Sequence, residues 1–529
     1  MLILQGITYL HPNKDALFTD INVIINKHDK VALIGNNGVG KSILLKILAG
    51  VLPLSAGHIK TNSRPYYVPQ HFGQFNDYTI ARALHIDDKL NALNHILNGH
   101  VTDMNLALLN DDWTIEERCK EALMHWKLDG IDLNQKMESL SGGQKTRVFL
   151  AGINIHHPEI VLLDEPSNNL DTFSRTILYD YIHETTHTLV VVSHDRTLLN
   201  LLDTTFELSK HGITTYGGNY DFYAEQKIIE SNTLQQDLKN KEKALRKARK
   251  TEKESLERRQ RLDARGKKKQ EKAGLPTISM NTFRNNAEKS TSHLKNVHAE
   301  KVDALSQTVD QMHKRLTDTD KMKLDVGDSI LHKGKILITV NAVNFAYDDK
   351  LLWKESLNFQ IRSGERIAIK GANGSGKTSL LKLMLDKLRP QWGSIDRCVL
   401  KTIYMDQDYS LVDNQLTVYE QAQEFNTGAI QEHEIKMRLN RFLFTKVDWD
   451  KRCKVLSGGE KMRLMLCSLT ISDQAPDIIV LDEPTNNLDI QNIEILISAI
   501  NEYQGTLLVV SHDEYFLKQI HIERSIILE

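Results

Sequence analysis

Short, wholly apolar runs that end on a turn or a charged pair recur near both ends of the chain. A long stretch between them loses that pattern. VALIGNNGVGKSILLKIL, Val31 to Leu48, reads as a buried strand, a Gly-rich turn and a helix. IAIKGANGSGKTSLLKLM, Ile367 to Met384, reads the same way. EIVLLDEPSNNLD, Glu159 to Asp171, and DIIVLDEPTNNLD, Asp477 to Asp489, are apolar strands that end in Asp-Glu. LVVVSHD, Leu189 to Asp195, and LLVVSHD, Leu507 to Asp513, are strands that end at a His. Strands apolar on both faces belong to a mostly parallel sheet covered by helices. The same ordered set occurs twice, so the chain is a duplication of one α/β unit.

Between about 225 and 330 the period changes. From Gln226 to Lys272 there is no Pro and Gly266 is the sole Gly; the residues are mostly good helix formers. AGLPTISMN, Ala273 to Asn281, then interrupts the pattern. A second helix is expected over roughly Asn285 to Thr319, with Val302, Leu305, Val309, Met312 and Leu316 at the alternating spacing of a coiled-coil seam. Leu234, Leu238 and Leu245 are the partners on the first helix. The expected object is a helical hairpin with its tip near 266–285. A helix of about 40 residues would be about 60 Å long. Leu275, Ile278, Met280 and Phe283 near the bend either close the hairpin's own small core or insert into a partner.

The predicted organisation is a first nucleotide-binding domain over 1–225, a hairpin over 226–330 and a second nucleotide-binding domain over 331–529. With 529 residues, the chain can give each unit a sizeable core. No apolar run reaches the length of a spanning helix. MLILQGITYLHPNK, at the start, reads as a strand and not as a secretion signal. The four cysteines, Cys119, Cys398, Cys453 and Cys467, form no C-x-x-C pair, which argues against zinc ribbons, iron–sulfur clusters and a disulfide framework. A cytoplasmic protein is expected.

Charge changes the picture locally. The net charge is −2, yet Lys239 to Lys272 holds 16 basic and 6 acidic residues, a local +10. A spacer needs no net sign. A basic rod suits a polyanion and salt-sensitive contacts to phosphates, in RNA or DNA. The density is greatest at Lys267 to Lys269. No RNA-module signature accompanies it, so shape and backbone contacts are expected rather than base reading.

The repeated motifs carry phosphate chemistry. Backbone N–H groups of Gly35, Asn36, Asn37, Gly38, Val39 and Gly40, and of Gly371, Ala372, Asn373, Gly374, Ser375 and Gly376, can wrap phosphates. Lys41 and Lys377 would reach the β- and γ-phosphates, and the hydroxyls of Ser42 and Thr378 would hold Mg²⁺. Asp164 and Asp482 are further candidate Mg²⁺ ligands, directly or through water. Glu165 and Glu483 are placed to polarise the attacking water. His194 and His512, each 23 residues after Asp171 or Asp489, can sense the γ-phosphate or the water. MESLSGGQKTR, Met137 to Arg147, and CKVLSGGEKMR, Cys453 to Arg463, each open a helix with Ser-Gly-Gly, a second anion-binding terminus in each half. Such a terminus fits the nucleotide held by the other half.

With LSGGQ and LSGGE in place, the chain resembles ATP-binding cassette proteins. The resemblance implies a head-to-tail sandwich of the two cassettes. One ATP would lie between Gly35–Ser42 and Ser457, Gly458, Gly459 and Glu460. The other would lie between Gly371–Thr378 and Ser141, Gly142, Gly143 and Gln144. Gln70, in YYVPQH, and Gln407, in IYMDQD, match the family's glutamine loop, 29 and 30 residues after the lysines, and are further Mg²⁺ candidates. Tyr347 matches the aromatic that stacks on adenine in the second half. In the first half the candidates are Tyr9 and His11. Both sites retain Lys, Glu and His, which implies two hydrolysis-competent composite sites.

Two cassettes around a long charged linker, with SNNLD, TNNLD and the SHDR at 193–196, resemble the ABC-F family more specifically. That resemblance implies a monomer acting on the ribosome at the tRNA exit site, its linker directed toward P-site tRNA, rRNA and the peptidyl-transferase centre. Housekeeping translation and antibiotic protection both stay open. From Gln70 to Ser141 is 71 residues, against 50 from Gln407 to Ser457. The excess, within about 80–115, is either a plain loop insertion or the family's short arm. Only 17 residues follow His512, so no C-terminal coiled extension is expected. The rival readings are the energy subunit of a membrane transporter, which leaves the basic hairpin without a place, and a DNA-repair ATPase.

Overall fold

The computed structural model describes residues 1–209, 212–273, 299–312, 331–347, 350–486 and 488–528, with side chains apart from those at 259, 263 and 266–273. Two compact units are present: residues 1–222 with 321–529, and residues 223–320.

In the first unit the first half is built on a six-stranded sheet. Its order is Tyr66–Val68, Ile160–Asp164, Thr188–Val192, Lys30–Ile34, Thr204–Ser209, Gly212–Tyr216, and only the last strand is antiparallel. The second half has five parallel strands: Thr402–Met405, Ile478–Asp482, Thr506–Val510, Arg366–Gly371, Arg524–Leu528. Ile160–Asp164, Thr188–Val192, Ile478–Asp482 and Thr506–Val510 are buried at every position. That is why they read as unbroken apolar runs. Asp164 pairs with Val192, and Asp482 with Val510, so the Asp-Glu ends and the Ser-His ends finish at one level. The loops that leave this edge carry the candidate site residues, where open α/β sheets commonly bind ligands.

A three-stranded antiparallel sheet accompanies each half: Leu2–Leu10 between Ala16–Ile25 and Ala56–Thr61, and Ile336–Asn344 between Leu357–Arg362 and Trp392–Arg397. Leu2, Leu4, Ile7 and Phe18 pack with Leu33, Leu45 and Val190 in one core. Leu337, Val340, Val343 and Trp353 pack with Ile369, Leu381 and Val510 in its counterpart.

The first half carries helices over Asp87–Leu97 and Asp103–Leu109 within 80–115, between its Gln and its signature. Asp112 fixes their base, with Lys89 at 2.7 Å and Arg118 at 2.8 Å. Leu97, Val101 and Met104 are exposed on this insertion.

One α-helix spans Tyr220–Ala273, 54 residues, about 80 Å at the standard rise. It starts six residues before position 226, because the Asn219 side chain accepts from the Phe222 N–H at 3.2 Å, a helix cap. It also continues past 266, the expected start of the tip. In the second unit, Leu238 and Leu245 on this helix are buried with Val309 of the helix at 299–312, and Val302, Leu305 and Met312 pack against them. Leu234 is only half-buried and outside that cluster. The expectations for Leu275, Ile278, Met280, Phe283 and Leu316 lie outside the described residues, and those for the Lys267–Lys269 side chains lie outside the described side chains.

Candidate nucleotide sites

Each phosphate loop bridges a buried strand and a helix, Lys41–Leu48 or Lys377–Met384. The residue before each helix, Gly40 (φ 104) or Gly376 (φ 86), is left-handed. A Cβ on Gly40 would also stand 2.6 Å from Leu17 Cδ2, so only glycine lets the loop turn there. Lys41 Nζ donates to the carbonyls of Gly35 (2.6 Å) and Asn36 (3.3 Å), and Lys377 Nζ to those of Gly371 (2.9 Å) and Ala372 (3.0 Å). Both ammonium groups are therefore folded over their own loops. Burial pulls both below the ordinary lysine range, opposed first by Glu165 and by Glu483 respectively.

Ser42 Oγ donates to Asp164 Oδ1 at 3.0 Å, and Thr378 Oγ1 to Asp482 Oδ2 at 3.0 Å. Asp482 Oδ1 is buried without a hydrogen-bond partner. A hydroxyl beside a desolvated carboxylate with a spare oxygen fits a small, hard cation such as Mg²⁺. Tyr67 OH and Tyr404 OH donate to the same two aspartates, each at 3.0 Å. Sequence reasoning missed these tyrosines. Their signal was present: each stands three residues before the glutamine, Gln70 or Gln407.

Glu165 (φ 51) and Glu483 (φ 50) are both left-handed, which costs a side-chain-bearing residue about 1 kcal/mol or more. Their N–H groups are held by the carbonyls of Val192 and Val510, each at 2.8 Å. Burial pushes Glu165 up to about 8 and Glu483 up to about 7. Burial also pushes His194 down to about 3 and His512 down to about 4. Both imidazoles are thus neutral near pH 7. His194 Nε2 lies 3.1 Å from Glu165 Oε1, and His512 Nε2 lies 3.5 Å from Glu483 Oε1.

Each signature serine is a helix cap with a reciprocal partner. Gln144 N–H donates to Ser141 Oγ and Ser141 N–H to Gln144 Oε1; Ser457 and Glu460 do the same. The side chains of Gln144 and Glu460 are thereby turned back onto the serines. Gly142, Gly143, Gly458 and Gly459 form the first helical turns.

The two halves meet at these loops. Asn37 N–H donates to Asp489 Oδ2 at 3.3 Å, and Asn373 N–H to Asp171 Oδ2 at 3.4 Å. Asn373 Nδ2 also donates to the Asn169 carbonyl at 2.8 Å. One cavity of about 500 Å³ is lined by Ser141, Gly142 and Gly143 of the first half and by Tyr347, Lys377, Thr378, Gln407, Asp482, Glu483 and His512 of the second. Sequence-predicted residues 236 positions apart, Ser141 and Lys377, thus line one space. Gln70, Ser457 and Lys41 do not line that cavity. In the opposite pairing, the closest described link is Asn37 to Asp489.

The aromatic pairs near the start of each half correspond in their packing. Phe345 and Tyr347 meet edge to face at 5.0 Å, and so do Tyr9 and His11 at 5.8 Å. Tyr9 packs on Phe18 and into the core, as Phe345 does in its own core. His11 therefore stands where Tyr347 stands.

The ABC transporter family model matches residues 18–168 and 355–486, one stretch in each half. The ATP-binding protein Uup of Haemophilus influenzae is 31% identical over 537 residues, covering 96% of this chain and 76% of its own length. ABC transporter F family member 5 of Arabidopsis thaliana is 29% identical over 535 residues, covering 95% of this chain and 71% of its own length. Among solved structures, the archaeal ribosome recycling factor aABCE1, in its complex with the ribosomal stalk protein aP1, aligns with a TM-score of 0.61 at 19% identity, over 99% of this chain and 87% of that one. That likeness establishes the α/β fold with its two cassettes. No described helix is long and apolar enough to cross a membrane. Two matched cassettes, a long helix between them and similarity over 95% or more of this chain to Uup and to an F family member make this chain a member of the ABC-F family of ATP-binding proteins.

Proposed function

We propose that the chain is a cytoplasmic ATPase that hydrolyses ATP at two composite sites and uses the cycle to act on the ribosome. The observation that carries the composite-site reading is the cavity shared by Ser141 and Lys377. Lys377, with the loop amides of Gly371–Gly376, binds and orients the phosphates. The Ser141 helix terminus adds donors from the other half. Glu483 accepts a proton from the attacking water, and neutral His512 holds the γ-phosphate or that water in place. Lys41, Ser141's counterpart Ser457, Glu165 and His194 take the same roles at the other site. Ser42 and Asp164, or Thr378 and Asp482, with Gln70 or Gln407, would hold Mg²⁺, which would supply neutralisation of phosphate charge. Tyr347 and His11 stack on the adenines.

The ribosome is proposed as partner on two grounds: ABC-F membership and the local +10 between Lys239 and Lys272. A basic helix of 54 residues suits rRNA and P-site tRNA backbones. The 87–109 helices serve as the arm. Translation control and protection from antibiotics are both compatible with this reading.

The deciding experiment is co-sedimentation of the full-length E165Q/E483Q protein with purified 70S ribosomes, with and without ATP. Pelleting only with ATP is expected. A protein that stays in the supernatant at low salt with ATP, yet binds duplex DNA there, would replace the ribosome with DNA as the partner.

A further inference from the structure

The two halves repeat one motif set, but the residues they present to each other differ. Thr172 Oγ1 of the first half lies 3.2 Å from His512 Nδ1 of the second. Arg175, one turn further along the same helix and buried, donates to the His512 carbonyl at 3.3 Å and to the Leu170 carbonyl at 3.2 Å. Its guanidinium also lies 3.6 Å from Asp195 Oδ2 and lines the cavity beside Glu483. Thus a side chain and a backbone contact, both from the first half, hold His512. At the equivalent places, one and four residues after Asp489, stand Ile490 and Ile493, whose side chains cannot hydrogen-bond. Correspondingly, His194 Nδ1 is buried with no hydrogen-bond partner.

A histidine works by its free nitrogen, and which nitrogen carries the proton is set by the partner of the other. A hydroxyl that donates to Nδ1 leaves the proton on Nε2. His512 Nε2 is buried, lacks a hydrogen-bond partner and stands 3.5 Å from Glu483 Oε1. With the Thr172 hydroxyl as donor, the Nε2 proton faces Glu483 and the cavity. His194 Nε2 faces Glu165 Oε1 at 3.1 Å, but its Nδ1 receives no contact from the second half.

We propose that the two composite sites are inequivalent and that the one on the second phosphate loop turns over faster, because Thr172 and Arg175 hold His512 from across the interface while Ile490 and Ile493 offer His194 Nδ1 no such partner. Thr172 and Arg175 are positioning residues in this scheme; they act through His512. The inference rests on the reading of both sites as hydrolytic.

The test is steady-state ATP hydrolysis by the full chain, with one glutamate replaced at a time. In E165Q the second-loop site alone stays competent, and in E483Q the first-loop site alone. E165Q is expected to turn over at least about fivefold faster than E483Q. Adding T172V, a near-isosteric change, is expected to lower kcat about tenfold in E165Q with KM within about twofold. The same change in E483Q is expected to move kcat less than about twofold, and T172S is expected to restore most of the loss in E165Q. Binding of a fluorescent ATP analogue checks that each variant is folded. Equal falls in both backgrounds, a loss expressed in KM alone, or failure of T172S to rescue would overturn the inference while leaving the ATPase reading intact. So would a single glutamine that stops all turnover, since the sites would then be obligately coupled. No hydrolysis by the unsubstituted chain would instead overturn the ATPase reading itself.

Discussion

Asp489 Oδ2 accepts the Asn37 N–H at 3.3 Å across 452 residues of sequence. The same carboxylate caps its own helix, with Oδ1 accepting from Asn492 N–H at 2.8 Å. One side chain thus ties a helix start in the second half to the phosphate loop of the first. Serine can still cap but is too short to reach Asn37. D489S is expected to keep its melting temperature and lose about tenfold in hydrolysis, with ATP-driven closure weakened in small-angle scattering. D489A should lose about 1 kcal/mol of stability as well. Equal hydrolysis by D489S and the parent would show that the tie is dispensable.

Gly143 is the tightest point of the first signature. A Cβ there would lie 2.6 Å from the Asn169 carbonyl, backbone that cannot swing aside. On Gly142 the nearest atom would be at 3.4 Å, an ordinary contact. G143A is therefore expected to cost about 1–3 kcal/mol, against little for G142A, as read from chemical denaturation.

The buried glutamates give a pH signature. A carboxyl pushed up to about 8 (Glu165) or about 7 (Glu483) by burial binds its proton more tightly folded than unfolded. Its stabilising contribution is complete below the unfolded value, near 4.5, and is lost as pH rises through the folded value. Glutamine does not titrate. Without nucleotide and in EDTA, the stability of E165Q/E483Q relative to the parent should therefore grow from pH 5 to 8 and level off by about 9, at up to about 1.4 kcal/mol per pH unit for each group. Thermal unfolding across that range reads it. A difference that does not change with pH would place both carboxyls at their ordinary values.

Metal dependence should follow the hydroxyls. Thr378 Oγ1 sits 3.0 Å from Asp482 Oδ2. EDTA is expected to abolish hydrolysis. T378V is expected to raise the Mg²⁺ needed for half-maximal hydrolysis about tenfold or more, while T378S changes it little. The titration is best run in the E165Q background, where only that site reports.

Charge reversal at Lys267, Lys268 and Lys269 tests the basic helix as a contact. Ribosome co-sedimentation across a salt series should weaken, with the log–log salt slope falling by about two to three. ATP binding should be unaffected. An unchanged slope would mean that these lysines meet no phosphate.

Much of this architecture was legible because its signals are local. Strands such as Ile478–Asp482 are apolar at every position because both faces are covered, and the loop before Lys41 needs its glycines for its own turn. The helix begins at Tyr220, six residues before Gln226; the Asn219 cap was its signal, and the first turn, with Tyr220 and Phe222, is aromatic. Tyr67 and Tyr404 were repeated signals passed over. The correspondence of His11 with Tyr347 needed the edge-to-face geometry of each with its neighbour. The Thr172–His512 contact had no local signal at all, because its partner is 340 residues away.

Because Ser141 and Lys377 line one cavity, lesions in this chain fall into groups that ignore the boundary between its halves. Two substitutions in different halves can strike the same target, so the double K377A/S141R is expected to be no sicker than either single. Two others pair across targets: K377A with S457R is expected to remove both sites. A map of genetic interactions along this gene would therefore cross over itself, with each half's defects masked by, or compounded with, those in the opposite half. Selection acts on that crossed pattern, and neither cassette is free to drift as a separate protein would.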